Sequence, residues 1–382
     1  MRVLHIGKFY APQRGGIERT TQDLAEWLVR KDVDVAALVH QPRGDWRSKT
    51  EIIDGVEVVR VGCIAAPLYS PISPTLPLQL NRLLRRFRPD VLHLHLPNPS
   101  CFAVLLNRRA RAIPWIVHWH ADIPADTPDW KLRAAYRLYR LFEQALLKRA
   151  AAIIVTSQRY RDASAALAPW VAKTRVISLG VDAAPIPVAA APEWPTHGDF
   201  RLLAVGRLSY YKGFAILIAA LAKLPQASLL LVGHGELLEA LRKTAVEHGV
   251  AERVRFLGDL DDAGLLAAYN RADGFVLPSL DRGEAFGLVL LEAMRAGLPI
   301  VASAIPGSGV GHVVADEISG LLVPPGDAAA LAAALLRLIA DTELCQRLGK
   351  AGQRRWQEEF TLERMARATL ALYHDVLGAD DS

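Results

Sequence analysis

Cysteine is scarce in this 382-residue chain, with only Cys63, Cys101 and Cys345, odd in number and far apart. They supply neither a disulfide framework nor a zinc-binding spacing, so a reducing compartment is expected. Long apolar runs are also missing. The longest, FAILIAALA and AAALAAALL, stop at Lys223 and Arg337, well short of the roughly 20 residues a membrane-spanning helix needs. No basic stretch and apolar core follow the first methionine, so no secretory peptide is expected. No GxxxxGK[ST] phosphate loop occurs, and GHGELL at 233–238 lacks the third glycine of the dinucleotide fingerprint. GSGVG at 307–311 precedes no long helix and has no suitably placed acidic partner, so nicotinamide chemistry is not expected; nor is a nucleic-acid partner.

What remains is an ordinary globular composition, 51% hydrophobic and 22% charged. A chain of this length should hold two domains, because single cores stop growing before this size. The formal net charge of +5 conceals an asymmetry. Residues 1–180 carry 27 Lys and Arg against 15 Asp and Glu, a balance of +12, whereas residues 181–382 carry 18 against 25, a balance of −7. The amino half is therefore the one expected to meet an anionic surface or acceptor.

Short β-rich runs alternate with helical stretches throughout, the pattern of parallel sheets covered by helices. Strands are expected at RVLHIG, DVAALV, VEVVRV, DVLHLH, PWIVHW and AIIVTS, and then at RLLAVGRL, ASLLLVG, VRFLG, GFVLPS and PIVAS. Residues 181–199, rich in proline and alanine and without periodicity, read as a linker. The expected architecture is α/β, with one domain at 1–180, a second at 200–360 and a closing segment at 361–382 that holds a last helix near 361–378.

The chain is organised around residues 279–302, SLDRGEAFGLVLLEAMRAGLPIVA. GFVLPS runs into a loop, a helix is expected from about Phe286, and PIVAS follows. In a parallel sheet that loop lies at the carboxyl ends of the strands, where ligands bind. The helix start would offer free N–H groups of Phe286, Gly287 and Leu288 to an anion. Glu284 stands in the loop and Glu292 two turns down the helix. Carboxylates beside a phosphate-friendly helix end suit a sugar nucleotide, which has hydroxyls to bind and a diphosphate to cradle. Arg207, at the end of its strand, and Lys212, at the start of the next helix, are placed to hold two phosphates without a metal; the plain alternative is two surface cations.

In the first half, Gly15 and Gly16 lie at a strand-to-helix junction, either a tight turn or a loop that lets a ligand approach the backbone. His93 and His95, then His118 and His120, stand on one side of their strands, but no carboxylate or cysteine is spaced to complete a metal site. A cleft-facing histidine at a strand end is the better use of His120. The Asp32–Asp34 and Asp259–Asp261 triplets read as a strand start and a helix cap. Arg82, Arg85 and Arg86 share one helix. Arg133, Arg137, Arg140 and Lys148 share a face of another, opposite a stripe of Leu132, Ala135, Tyr136, Tyr139, Phe142 and Leu146. Such a helix serves a membrane surface or is a solvated basic face over a buried stripe.

Together these stretches resemble the family 4 retaining glycosyltransferases of the GT-B fold. The matching pieces are GG at 15–16, WHAD at 119–122, GRLSYYKG at 206–213, GHGE at 233–236, VRFLG at 254–258, the Glu284-to-Glu292 spacing and GLLVPPGD at 320–327, in the family's order over nearly the full chain. The resemblance implies two Rossmann-like domains facing across a cleft, with the final helix returning to the first domain. It also implies a nucleotide-sugar donor such as GDP-mannose or a UDP-hexose, held mainly by the second domain without a metal or other cofactor. Arg207 and Lys212 would neutralise the diphosphate, Glu292 would bind the ribose, and Glu284 the hydroxyls of the transferred sugar. The N–H groups at 286–288 would complete these contacts, Gly15 and Gly16 would let the first domain close on the diphosphate, and His120 would sit beside the reacting sugar. The chain departs from the family at Leu179-Gly180, where Asn-Gly is usual, and at Lys31-Asp32, where Gly-His is. GSGVGHVV replaces the commoner glycine loop, which bears on sugar selectivity.

The implied mechanism is same-face attack assisted by the leaving phosphate. A retaining hydrolase would instead use two flanking carboxylates. The expected acceptor is a saccharide, on a polyprenyl diphosphate, in the assembly of lipopolysaccharide O-antigen or exopolysaccharide. The enzyme would then be cytoplasmic and peripheral at the inner face of the cell membrane, held to anionic lipid by its basic first domain. The rivals are a sugar-nucleotide 2-epimerase of the same architecture and a non-catalytic membrane-associated binding partner.

Overall fold

The computed structural model describes every residue except 14, 43, 67–69, 124–129, 184–191 and 379–382. The middle of the expected linker and the last four residues of the expected closing segment lie outside the described residues. The chain forms two compact units, Met1–Gly180 with Leu362–Ser382, and Val181–Thr361.

The sheet of the first unit contains β1 (Arg2–Ile6), β2 (Asp34–His40), β3 (Lys49–Ile53), β4 (Val56–Val61), β5 (Val91–Leu96), β6 (Trp115–Trp119), β7 (Ala152–Val155) and β8 (Thr174–Val176), ordered β3-β4-β2-β1-β5-β6-β7-β8. Every pairing is parallel except β3 with β4. Strands β5 and β6 are buried at every position, as parallel strands covered on both faces must be. Strand β3 is absent from the expected set because KTEII lies at an edge with largely exposed side chains, so no buried face writes an apolar pattern into it. The Asp54-Gly55 turn, with φ of 46° and 82°, returns it to β4; that dipeptide is a hairpin signal in its own right.

The sheet of the second unit contains β9 (Phe200–Val205), β10 (Ala227–Val232), β11 (Val254–Gly258), β12 (Gly274–Leu277), β13 (Ile300–Ser303) and β14 (Leu321–Val323), ordered β11-β10-β9-β12-β13-β14 and parallel throughout. β14 lies within GLLVPPGD and is too short to show a period. Apart from the β3–β4 edge hairpin, the strand order in each sheet reverses once, at β1/β5 and at β9/β12. Such switch points open a crevice at the carboxyl ends of the strands.

The helix Leu362–Leu377 packs in the first unit by burying Met365, Ala366, Thr369, Leu372 and Tyr373, and Trp27 Nε1 donates to Glu363 Oε2 at 2.5 Å. The helix Trp130–Arg149 departs from its expected stripe. Leu146 is buried, together with Glu143 and Leu147, but Ala135 is exposed and Phe142 is 42% exposed. Leu138 and Leu141 are 60% and 69% exposed beside Arg137 and Arg140, and the side chains of Leu132 and Arg133 lie outside the described residues. No helix among the described residues is long and apolar enough to cross a membrane.

Candidate functional site

The expected residues of the second unit come from the two loops that flank its switch point. After β9 the chain makes a turn over Tyr210–Lys212 that ends in left-handed Gly213, φ 67°. A Cβ there would lie 2.0 Å from the Pro278 carbonyl oxygen, so only glycine lets this turn tuck beneath the end of β12. The tuck brings Lys212 Nζ to 2.6 Å from Glu284 Oε2, with both side chains 9% exposed. Ser279 Oγ donates to the same oxygen at 3.0 Å. Burial works against the Lys212 ammonium, but the Glu284 carboxylate and Tyr211 outweigh it, and the pKa is raised. Arg207 lies near the same Tyr211 and reaches Glu236 Oε2 at 3.4 Å; partial burial lowers its pKa from the ordinary arginine value.

The helix that follows runs Leu288–Arg295, two residues later than expected, because Gly287 is left-handed at φ 83° and serves as its N-cap. Glu292 is therefore little more than one turn in, instead of two. Its Oε2 accepts from Tyr269 OH at 2.7 Å. Burial first, and the carboxylate beside it second, hold that phenol well above the usual tyrosine range. The two glutamates thus have separate partners, Glu284 with Lys212 and Ser279, Glu292 with Tyr269. The backbone N–H groups of Phe286, Gly287 and Leu288 make no hydrogen bond among the described residues. These donors stand at the end of a helix whose dipole favours negative charge.

The GSGVG segment, which carried no nucleotide signature, is a brace. Ser308 Oγ donates to the Glu284 carbonyl, and Gly309 N–H donates to the Ala285 carbonyl at 2.8 Å. Neither this role nor the Tyr269 contact was legible from local sequence, since each joins segments about 20 residues apart through the fold.

In the first unit, Gly15 caps the helix Gly16–Val29, and Gly16 has open space where a Cβ would stand. A Cβ on Gly15 would meet the Glu18 carboxylate at 2.2 Å. Sequence reading missed Glu18 and Lys8. Glu18 is raised in pKa by burial, against a bond from its own backbone N–H, and Lys8 is lowered by burial, against the charge of Glu18. The acidic residue inside the first helical turn was the available signal. His120 follows β6; it is 6% exposed, its N–H donates to the Leu96 carbonyl at 2.9 Å, and its Nε2 faces His95 Nδ1 at 3.0 Å. Glu143, 1% exposed and with Oε2 unpartnered, is pushed up to about 7 by burial and by Asp122.

Residues 15–180 match the family model described as glycosyl transferase 4-like domain, and residues 192–355 match the one described as glycosyl transferases group 1. A glycogen synthase of Mycobacterium tuberculosis is 33% identical, over 98% of this chain and 94% of its own. The O-antigen chain mannosyltransferase C of Escherichia coli is 30% identical, over 99% of each. Among solved structures, the sucrose-phosphate synthase of Thermosynechococcus elongatus is similar with a TM-score of 0.80 and 27% identity, over 99% of this chain and 100% of its own.

Proposed function

Because the chain belongs to the glycosyl transferases group 1, nucleotide-sugar hexosyltransferases of GT-B fold, we propose that it transfers a hexose, with retention and without a metal, to a saccharide on a polyprenyl diphosphate. Assembly of a surface polysaccharide such as O-antigen is the setting this reading favours, given the likeness to the O-antigen mannosyltransferase. The observation that carries it is the set of N–H groups at 286–288 without a hydrogen bond among the described residues, in the loop that also holds Glu284, the partner of Lys212. Those N–H groups receive a phosphate or sugar oxygen of a GDP- or UDP-sugar. Arg207 and Lys212 take up charge as the diphosphate leaves, and Glu284 and Glu292 bind hydroxyls of the hexose and ribose; within the first unit, Gly15 and Gly16 let an anionic group approach the backbone, and His120 contacts a sugar.

Charge develops on the leaving diphosphate only in the transition state, so a cation there lowers the barrier more than it tightens ground-state binding. Arg207→Ala should lower kcat on the order of 10²-fold with little change in donor KM, whereas Glu292→Gln should mainly raise donor KM. Steady-state kinetics check this division, and equal small effects on both parameters would refute it. The anomeric configuration of the first-formed product, read by proton NMR, tests retention; an inverted product overturns that part of the reading.

The acceptor side rests on the helix Trp130–Arg149, where exposed Leu138 and Leu141 stand beside Arg137 and Arg140. This face and the +12 balance of residues 1–180 suit the anionic cytoplasmic face of a membrane. Vesicles containing phosphatidylglycerol should bind the chain at low salt and release it as ionic strength rises, and replacing Leu138 and Leu141 with serine should weaken binding. Indifference to both anionic lipid and salt would remove the physical basis of this assignment.

A further inference from the structure

Register brings five imidazoles together in the first unit. His5 of β1 pairs with His93 of β5, and His95 of β5 with His118 of β6; His120 follows immediately. All are buried, and their rings are stacked, with His93 and His95 4.6 Å apart at 3°, His118 and His120 4.1 Å apart at 12°, and His95 and His120 5.3 Å apart at 15°. His95, His118 and His120 each bring a nitrogen within 4.8 Å of the others. An imidazole lone pair lies in its ring plane, however, so near-parallel stacked rings do not aim at one ion. The nitrogens face one another instead.

They form two strings. His120 Nε2 meets His95 Nδ1 at 3.0 Å, and His95 Nε2 meets His5 Nδ1 at 3.0 Å. Tyr373 OH meets His93 Nδ1 at 2.5 Å, and His93 Nε2 meets His118 Nδ1 at 3.3 Å. A neutral imidazole has one N–H and one lone pair, so choosing one tautomer sets the direction of a whole string. Thr21 sets the first. Its hydroxyl donates to the Ile17 carbonyl at 2.8 Å, so toward His95 Nδ1, at 3.3 Å, it can only accept. His95 therefore carries its proton on Nδ1, which is shared with His120 Nε2. His120 Nε2 is then a lone pair, and the proton of His120 sits on Nδ1, which has no hydrogen-bond partner among the described residues. At the far end, His5 Nδ1–H donates to His95 and leaves His5 Nε2 as a buried, unpartnered lone pair. The opposite direction would bury an orphan N–H there, the rarer and costlier defect.

We infer that His95, backed by His5 and directed by Thr21, is a positioning residue that holds His120 as a neutral Nδ1–H donor toward the ligand. His120 then donates a hydrogen bond to a sugar hydroxyl or phosphate oxygen and does not act as a base. The charged and titratable groups facing the string agree with this. They are His93 and His118, Tyr373 from the final helix, Cys101, and Lys8, whose charge opposes protonation of His120, with Glu18 beside Lys8. The inference rests on the reading of His120 above only for what the ligand is.

The test is long-range proton–nitrogen NMR of the full chain labelled with nitrogen-15 histidine, without ligand, at pH 7.5. His120 and His95 should both show a pyrrole-type Nδ1 and a pyridine-type Nε2. In His95→Asn the amide N–H stands where Nδ1 stood, so the His120 tautomer should persist. In His95→Gln the amide reaches the Nε2 position instead, and the His120 signals should average or reverse. A wild-type His120 with the proton on Nε2 overturns the inference, as does an unchanged tautomer in His95→Gln, or stoichiometric zinc in the purified chain. Should neither variant fold, Thr21→Val replaces them: loss of the directing acceptor should mix the tautomers, and an unmixed spectrum counts against the proposal. Failure of every nucleotide sugar to bind would refute the proposed function and leave this spectrum unaffected.

Discussion

Glu284→Ala is expected to destabilise the second unit by about 3–5 kcal/mol, one of the two largest effects foreseen here. The cost comes less from the lost attraction than from what is left behind, a Lys212 ammonium 9% exposed with its carboxylate partner at 2.6 Å removed. Ser279 Oγ would lose its acceptor as well. Lys212→Ala should cost a similar amount by stranding the carboxylate. The double change Lys212→Met with Glu284→Leu should recover most of the stability, because two apolar side chains of similar volume need no compensation. On the roles proposed for Glu284 and Lys212, it should recover none of the activity. Urea unfolding of the three variants checks the ordering. A double variant less stable than either single one would mean that the pair is not the source of the cost.

The second large effect is acid lability of the first unit. Burial lowers the pKa of His5 and His118 to about 3 and of His40 to about 4, and holds those of His93, His95 and His120 well below 6.5. In the unfolded chain these histidines take up protons below pH 6.5, while in the folded one they remain neutral until far lower. The unfolded state therefore binds more protons, and stability falls as pH drops from 6.5 toward 4. Each histidine removes roughly 1 kcal/mol per pH unit, so the five stacked rings together remove roughly 5. Glu143, pushed up to about 7, works the other way over the same window and returns roughly 1 kcal/mol per unit, and Glu18 and Glu26, both raised by burial, act in the same direction as Glu143. The histidines outweigh them. The denaturation midpoint of the first unit should drop steeply between pH 7 and pH 5, and a flat profile over that range would contradict neutral burial of the stack.

The periodic features of this fold were legible because burial writes them into the sequence. β5, β6, β10 and β12 are buried at every position, and their mostly apolar runs say so, with His93, His95 and His118 the buried polar exceptions in β5 and β6. β3 and β14 were not, one being an exposed edge and the other three residues long. Around the site, the chemistry of Lys212, Glu284, Glu292 and the helix start could be read as residue types in loops at strand ends. The pairing of those residues could not, because it depends on a left-handed Gly213 that folds one loop beneath another 70 residues later. The same limit applies to the histidines. The two HxH pairs are visible in the sequence, but His5 joins them only through strand register, and Thr21 only through the helix packed over the sheet.

The central claim, that the second unit binds a nucleotide sugar at Arg207, Lys212 and the N–H groups of 286–288, is tested most directly by thermal unfolding with a panel of GDP- and UDP-sugars. A true donor at 100 times its Kd should stabilise the chain by about 2.7 kcal/mol, and Glu292→Gln, which weakens donor binding in the ground state, should shrink that shift at the same concentration. A chain whose unfolding is moved by no nucleotide sugar, or moved equally with and without the Glu292 carboxylate, would contradict the assignment.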